Sequence, residues 1–290
     1  MKLRENRARW VTFNAILVYA FLYAPILVLV IFSFNASKST AVWRGFTLDW
    51  YGSLLGTGDM FGMDGGQSSG AARSFQADNI WLALRNSLIV SSTATLSATT
   101  LGTMLALAIE RYRFRLRGFF NVLLYLPVVI PDITLGIALM VFFSLLFKLV
   151  ENCFGVRLAL GFGTIIVSHV AFNISYVAIV VRARLAGMNR TLEEAAQDLG
   201  ATPWQTFRRI TLPLIGPGIA GGALLAFTLS LDDFVVTFFT TGIGSSTLPI
   251  FVYGMIRFTV TPAINAISTL MLLVSIVLVV GAVGLQRWGE

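Results

Sequence analysis

Long uncharged stretches dominate the pattern of hydrophobic and polar positions. Val11 to Phe34 and Asn86 to Ile109 contain no charged residue, and each is 24 residues long. Gly118 to Phe147 is apolar except for Asp132, and Leu158 to Val181 lacks Asp, Glu, Lys and Arg but holds His169. Leu214 to Thr241 is interrupted only by Asp232 and Asp233, and Phe258 to Gln286 is again uncharged. About 20 mostly apolar residues make a helix long enough to cross the hydrocarbon core of a bilayer. The pattern therefore predicts an all-α polytopic membrane protein with six transmembrane helices, a single transmembrane domain over 1–290.

Composition agrees. The chain is 56% hydrophobic and 12% charged, with mean hydropathy +0.80, whereas ordinary globular chains carry roughly a quarter charged residues. A disordered chain is excluded and a soluble enzyme is disfavoured. The net charge of +7, from 21 Lys+Arg against 14 Asp+Glu, bears on topology. Six spans place both termini on one side. With a cytoplasmic N-terminus the inner segments hold 14 of the 21 basic residues: four before Trp10, Arg111 to Arg117 with four, Arg182 to Arg209 with five, and Arg287. Excess Lys and Arg in short loops marks the cytoplasmic face, so both termini are expected there. No free basic domain remains to bind nucleic acid. The single Cys153 excludes an internal disulfide, and no Cys/His cluster is present to hold a metal. Lys2, Arg4, Arg7 and Arg9 give the first span the look of a signal peptide. Its 24 residues exceed the roughly 7–15 of such a core, and no Ala-x-Ala-like site follows, so it is expected to be retained.

Two connections are long. The outer loop, 35–85, holds a Gly/Ser-rich stretch from Gly56 to Gln76 with Met60 and Met63, which reads as flexible. Its earlier part carries Trp43, Trp50 and Tyr51, suited to the water–lipid boundary or to docking an external protein, anchoring being the plainer role. The second connection leads into a cytoplasmic coupling loop, 191–213. Thr191 and Glu194 have capping-box spacing, Glu193 to Leu199 propagate a helix of two turns, and Gly200 is placed to end it. Thr202-Pro203-Trp204-Gln205 repeats the start signal, and Leu212-Pro213 is expected to stop the second helix. Set between two spans, the pair cannot enter a DNA groove as a dimer. An amphipathic hairpin on the membrane surface remains open.

Glu194-Ala195-Ala196, three residues, Gly200, nine residues, Ile210, one residue and Leu212-Pro213 resemble the Glu-Ala-Ala loop of permease subunits in binding-protein-dependent ATP-binding-cassette (ABC) importers. The resemblance covers nearly the whole chain and implies the type I permease fold. It makes this loop the coupling helix, with Glu194, Ala195, Ala196 and Gly200 meeting an ATP-hydrolysing subunit. The chemistry is compatible: small alanines admit a partner's backbone, and Glu193, Glu194 and Asp198, expected to be exposed, offer acceptors to Arg or Lys. No Gly-x-x-x-x-Gly-Lys-Ser/Thr is present, so ATP and Mg are expected on a separate ATPase and no cofactor on this chain. The implied partners are two ATPase subunits, a second homologous permease subunit and a periplasmic solute-binding protein, at a bacterial inner membrane. Ser33-Phe-Asn-Ala-Ser-Lys38, Leu231-Asp-Asp-Phe-Val-Val236, Leu248-Pro249 and Pro262-Ala-Ile-Asn-Ala266 resemble the spermidine/putrescine permeases, which implies a polyamine substrate. An amino acid or another cation is the alternative cargo. A self-sufficient secondary carrier would need inverted repeats, and the halves show no convincing self-similarity.

Intramembrane carboxylates cost about 2.5–3.5 kcal/mol on insertion scales and are functional candidates by default. Asp232 and Asp233 point about 100° apart on a helix, so one is expected to line a pathway while the other pairs or caps; solvation near the outer end is the plainer alternative. Phe234, Phe238 or Phe239 would meet a polyamine's methylenes or ammonium groups, or simply pack. Asp132 follows Pro127 and Pro131, where a helix break would use it as a cap or expose it to the pathway. His169 and Asn173, four apart on one face, are expected to hydrogen-bond between helices.

Overall fold

The computed structural model describes residues 2–37, 42–54, 70–258 and 262–287. Among them the helices are α1 (Lys2–Phe32), α2 (Asp49–Leu54), α3 (Gly70–Arg111), α4 (Arg117–Val129), α5 (Asp132–Phe154), α6 (Phe162–Ala186), α7 (Thr191–Asp198), α8 (Pro203–Thr206), α9 (Leu212–Leu231), α10 (Val235–Thr240), α11 (Leu248–Phe258) and α12 (Pro262–Arg287). A π-helical turn, Phe207–Thr211, joins α8 to α9. The described residues contain no strand beyond one isolated bridge, Asn35 to Phe46. Among the described residues six stretches are long and apolar enough to cross a membrane: Trp10–Phe32, Asn79–Arg111, Asp132–Phe154, Phe162–Ala186, Pro203–Leu231 and Ile264–Gly281. The all-α, six-span reading holds.

Several boundaries differ from expectation for local reasons. The third stretch is two helices, with Ile130 extended (ψ 132°) before Pro131. Pro131 has no N–H and bars the helical conformation at the residue before it, so only α5 is long enough to span. The N-cap of α5 is Pro131, which makes no side-chain capping bond, and Asp132 is the first helical residue; it is exposed, and its charge in the first turn complements the helix dipole. Leu212-Pro213 does not stop the helix begun at Pro203. The Leu212 N–H reaches back five residues to the Phe207 carbonyl, and this widened turn lets Pro213 pass without the usual clash. The helix ends instead at Leu231, and the chain breaks over Asp232–Phe234 before α10. On the other side α3 begins at Gly70, so 70–85 is helical where part of a loop was expected. The Gly/Ser/Met-rich stretch lies outside the described residues as far as 69.

Two compact units are distinguished: residues 1–80 with 252–274, and residues 81–251 with 275–290. In the first, the apolar span of α1 has no buried residue, as suits a helix facing lipid or another chain. Beyond it Asn35 organises a tight turn. Its Oδ1 accepts the N–H groups of Ser37 (3.1 Å) and Arg44 (3.0 Å), and its Nδ2 donates to the Val42 carbonyl (2.8 Å). The Trp50 indole donates to the Asn35 carbonyl (2.8 Å), and the Ser33 and Tyr51 hydroxyls lie 2.7 Å apart. Trp50 and Tyr51 thus hold the turn, while Trp43 stays exposed.

In the second unit, Ala106 and Ile109 of α3, Leu124 of α4, Val177, Val181 and Leu185 of α6, and Ile215 and Ala226 of α9 form one buried cluster. Helices α6 and α9 approach through glycine: a Cβ on Gly222 would sit 3.4 Å from the Val177 Cα, and one on Gly218 2.9 Å from the Arg184 Cβ. Such small-residue seams replace hydrophobic drive inside a bilayer, where lipid is as apolar as leucine. Short α10 packs on α5 and α6, with Phe239 over Gly136.

Candidate functional site

Two clusters in the second unit collect the predicted residues. The first is the hairpin of α7 and α8. Asn189, rather than Thr191, opens it: its Oδ1 accepts both the Thr191 N–H (3.1 Å) and the Thr191 hydroxyl (2.9 Å). The expected Thr191–Glu194 box is absent, since Arg190 occupies the N-cap in helical conformation without a side-chain cap and the short Asn189 amide reaches two residues ahead. The far end follows expectation. Gly200 adopts φ +86°, its N–H bonds the Gln197 carbonyl (2.9 Å), and the Ala201 N–H bonds the Ala196 carbonyl (3.0 Å), the paired closure of a Schellman motif. The Thr202 box also forms: the Gln205 N–H donates to the Thr202 hydroxyl (3.3 Å), and the Thr202 N–H donates to the Gln205 side chain (2.9 Å).

This geometry sorts the acids of α7. Glu194, Ala195, Asp198 and Gly200 are exposed and Ala196 is half-buried. Leu199 and Trp204 add apolar surface, 90% and 67% exposed. Glu193, expected to be exposed like Glu194, is instead 6% exposed. Arg111, at the end of α3, donates to both its oxygens, and the Thr211 hydroxyl donates to one of them. Burial pushes the Glu193 pKa up, but the hydrogen bonds from Arg111 and Thr211 and the charges of Arg111 and Arg190 prevail, holding it below the usual glutamate value. Neighbouring contacts extend the cluster: Arg190 donates to the Glu110 carbonyl (3.4 Å), Arg182 donates to Asn121 Oδ1 (3.0 Å), and Arg184 donates to the Leu214 carbonyl (3.2 Å).

The second cluster lies at the break between α9 and α10. Asp233 acts as the cap of α10, accepting the Thr237 N–H (2.8 Å), the Val236 N–H (3.4 Å) and the Thr237 hydroxyl (2.7 Å). Fully buried His169 completes it from α6. Its Nε2 is 2.9 Å from the Thr237 hydroxyl and 3.3 Å from Asp233 Oδ2, and its Nδ1 is 2.6 Å from the Ser230 hydroxyl. A hydroxyl carries one proton. With that of Thr237 directed at Asp233, Nε2–H donates to Thr237, and in the neutral ring Nδ1 accepts from Ser230. Asp232, its neighbour, is exposed and makes no salt bridge among the described residues. His169 therefore makes the interhelical bonds expected of it. Asn173 does not: its amide is buried with no hydrogen-bond partner among the described residues, on a helix that meets glycines of α9 one turn further on. Sequence reasoning missed Arg111, Thr211, Ser230 and Thr237. Arg111 is 82 residues from Glu193, and no local pattern links them. Asp132 joins neither cluster.

Among the described residues, six helices long and apolar enough to span, one of them ending at paired acids, and a two-helix hairpin between two of them are the features of a multi-pass membrane protein. The chain belongs to the family of binding-protein-dependent transport system inner membrane components, whose model matches residues 98–289. It is 40% identical over 283 residues to the putrescine transport system permease protein PotI of Escherichia coli (strain K12), covering 97% of this chain and 90% of that one. It is 36% identical over 265 residues to the spermidine/putrescine transport system permease protein PotC of the same organism, covering 91% and 89%. These relatives are transport permeases, not enzymes. In fold it matches a chain of a bacterial ABC transporter involved in the import of the acidic polysaccharide alginate, with TM-score 0.71, 20% identity and 99% of each chain covered.

Proposed function

We propose that this chain is a permease subunit of a bacterial ABC importer and forms the translocation pathway for a polyamine, putrescine or spermidine, delivered by an external binding protein. The observation that carries this reading is the likeness to two polyamine permeases along nearly the whole chain. The hairpin supplies the matching chemistry for an ATPase partner. Glu194, Ala195, Ala196 and Gly200 lie along an edge with an acidic acceptor, small side chains and a left-handed turn, which suits close approach by a basic groove. Two ATPase subunits bind ATP and Mg, and this chain binds no cofactor. A second homologous permease subunit completes the pathway, and a periplasmic binding protein feeds it. Both termini face the cytoplasm at the inner membrane.

Within the pathway, Asp232 offers a carboxylate that α10 does not use, so it meets an ammonium group of the substrate directly. Asp233 shapes the break behind it, and Asp132, exposed after the α4–α5 break, supplies a second negative point. The test is ATP hydrolysis by the co-expressed complex in liposomes with its binding protein, comparing putrescine, spermidine, amino acids and inorganic cations. Stimulation by a polyamine alone is expected. Stimulation by another solute alone would reject the substrate and keep the importer; failure of any ATPase to associate would reject both. Within the same complex, Glu194→Ala and a bulky residue at Gly200 are expected to uncouple transport or loosen the ATPase while the chain remains inserted.

A further inference from the structure

The covalent chain ties the hairpin to two spans, α6 before it and α9 after it. The Glu193 cluster adds a third. Arg111 is the last residue of α3, and its planar guanidinium grips both carboxylate oxygens of Glu193, a two-point contact that fixes orientation as well as distance. Thr211, the last residue of the π turn, holds the same carboxylate. A second strand of contact runs beside it, from Arg190 to the Glu110 carbonyl (3.4 Å). Glu193 is buried, and the Arg111 side chain is 28% exposed, so water competes weakly for the pair.

We infer that Glu193 and Arg111 form a clasp that makes the end of α3 move with the coupling hairpin, so that a push on α7 is delivered to α3 and α9 together. This rests on the importer reading above. Within one α7 turn the two adjacent glutamates then divide the work: Glu194 faces the ATPase and Glu193 passes the displacement inward. Glu193 and Arg111 are positioning residues. A clasp of charge and geometry, rather than apolar packing, keeps the two helices in register while their outer surfaces tilt.

The test uses the full complex with ATPase, second permease subunit and binding protein, and reads putrescine transported per ATP hydrolysed. In Glu193→Gln and Arg111→Met the ATPase subunits are expected to co-purify as with wild type and to hydrolyse ATP within two-fold of it, while transport per ATP falls at least ten-fold. Arg111→Lys, which keeps the charge but not the fork, is expected to lose less. Unchanged transport per ATP in both neutral variants overturns the clasp. A second measurement is independent of how well those variants fold. Arg111→Cys with Glu193→Cys, in a Cys153→Ser background, is bridged with a short bis-maleimide. Recovery of transport on bridging supports movement as one body; transport that stays low or falls further shows that the helices must separate and overturns it. If no ATPase co-purifies even with the wild-type chain, the importer reading itself has failed, and the clasp's role falls with it.

Discussion

Glu193-Glu194 and Asp232-Asp233 are both pairs of neighbouring acids, one within a helix of the hairpin and one in the break at the end of a span, and the fold splits each pair into an inner and an outer acid. Neighbours on a helix point about 100° apart, so when Glu193 turns into the protein Glu194 is left outside; Asp232 and Asp233 lie in the break between α9 and α10, and there the break itself parts them. Glu193 goes inward to Arg111 and Thr211, and Asp233 goes inward to Thr237 and His169, while Glu194 and Asp232 stay exposed. The inner acid fixes the geometry of a joint, and the outer one presents charge. The two joints differ in the partners they use: Glu193 is held by the Arg111 guanidinium and the Thr211 hydroxyl, Asp233 by the Thr237 N–H and hydroxyl with the His169 ring beside it. Arginine stays charged at any physiological pH. The hairpin joint is therefore built on a permanent charge, and the joint in the span on hydrogen bonds among the His169 ring and the Ser230 and Thr237 hydroxyls.

The largest effect expected from breaking this symmetry is at Glu193. Glu193→Ala leaves a partly buried guanidinium without its acceptor, and the cost is about 2–4 kcal/mol, below the range for a fully buried pair because Arg111 is partly solvated. Thermal unfolding of the solubilised protein measures it, and an effect no larger than that of Glu194→Ala would erase the distinction between the two acids. Next comes His169→Ala, which removes the ring held by Ser230 and Thr237 and leaves a void between α6 and α10. About 2–3 kcal/mol is expected from the lost bonds and cavity, with His169→Gln recovering part of it.

A smaller, pH-dependent effect sharpens the contrast. The folded pKa of Glu193 is lowered, so its contribution to stability is fully present above the ordinary glutamate value of about 4.3 and is lost as pH falls through the lower folded value. The stability gap between wild type and Glu193→Gln is expected to be flat from pH 8 to pH 5 and to shrink below about pH 4. A Glu193 gap that varies across neutrality would mean that its partner is not a permanent cation.

Much of this architecture was legible because bilayer spans leave long uncharged runs, and because proline, glycine and Thr-Pro-x-Gln act through local rules. The break at Pro131, the left-handed Gly200 and the Thr202 cap all follow from residues within a few positions of each other. What escaped were matters of competition and of distance. The Thr191 box lost to Asn189, whose side-chain oxygen takes both the Thr191 N–H and the Thr191 hydroxyl. Pro213 failed to stop its helix because a π turn upstream widened the backbone, an adjustment that no propensity at Pro213 records. The inward turn of Glu193 depends on Arg111, and that of Asp233 on His169, contacts made across the fold. Adjacent acids look alike in a sequence, and only the packing decides which of the two faces in.

The smallest change in stability is expected at the outer acids, and there the functional consequence is largest relative to it. Asp232→Asn and Glu194→Gln each remove a charge that is solvent-exposed, so each is expected to alter stability by no more than about 0.5 kcal/mol. If Asp232 meets the ammonium group of a polyamine, Asp232→Asn lowers polyamine-stimulated ATP hydrolysis several-fold while the complex stays assembled. If Glu194 meets the ATPase, Glu194→Gln weakens subunit association and leaves the affinity of the binding protein for its substrate unchanged. Measured together, stability and turnover separate the inner acids from the outer ones. A loss of turnover in Asp232→Asn that merely tracks a loss of folded protein would move Asp232 to the structural side of the pair and remove the free carboxylate from the pathway.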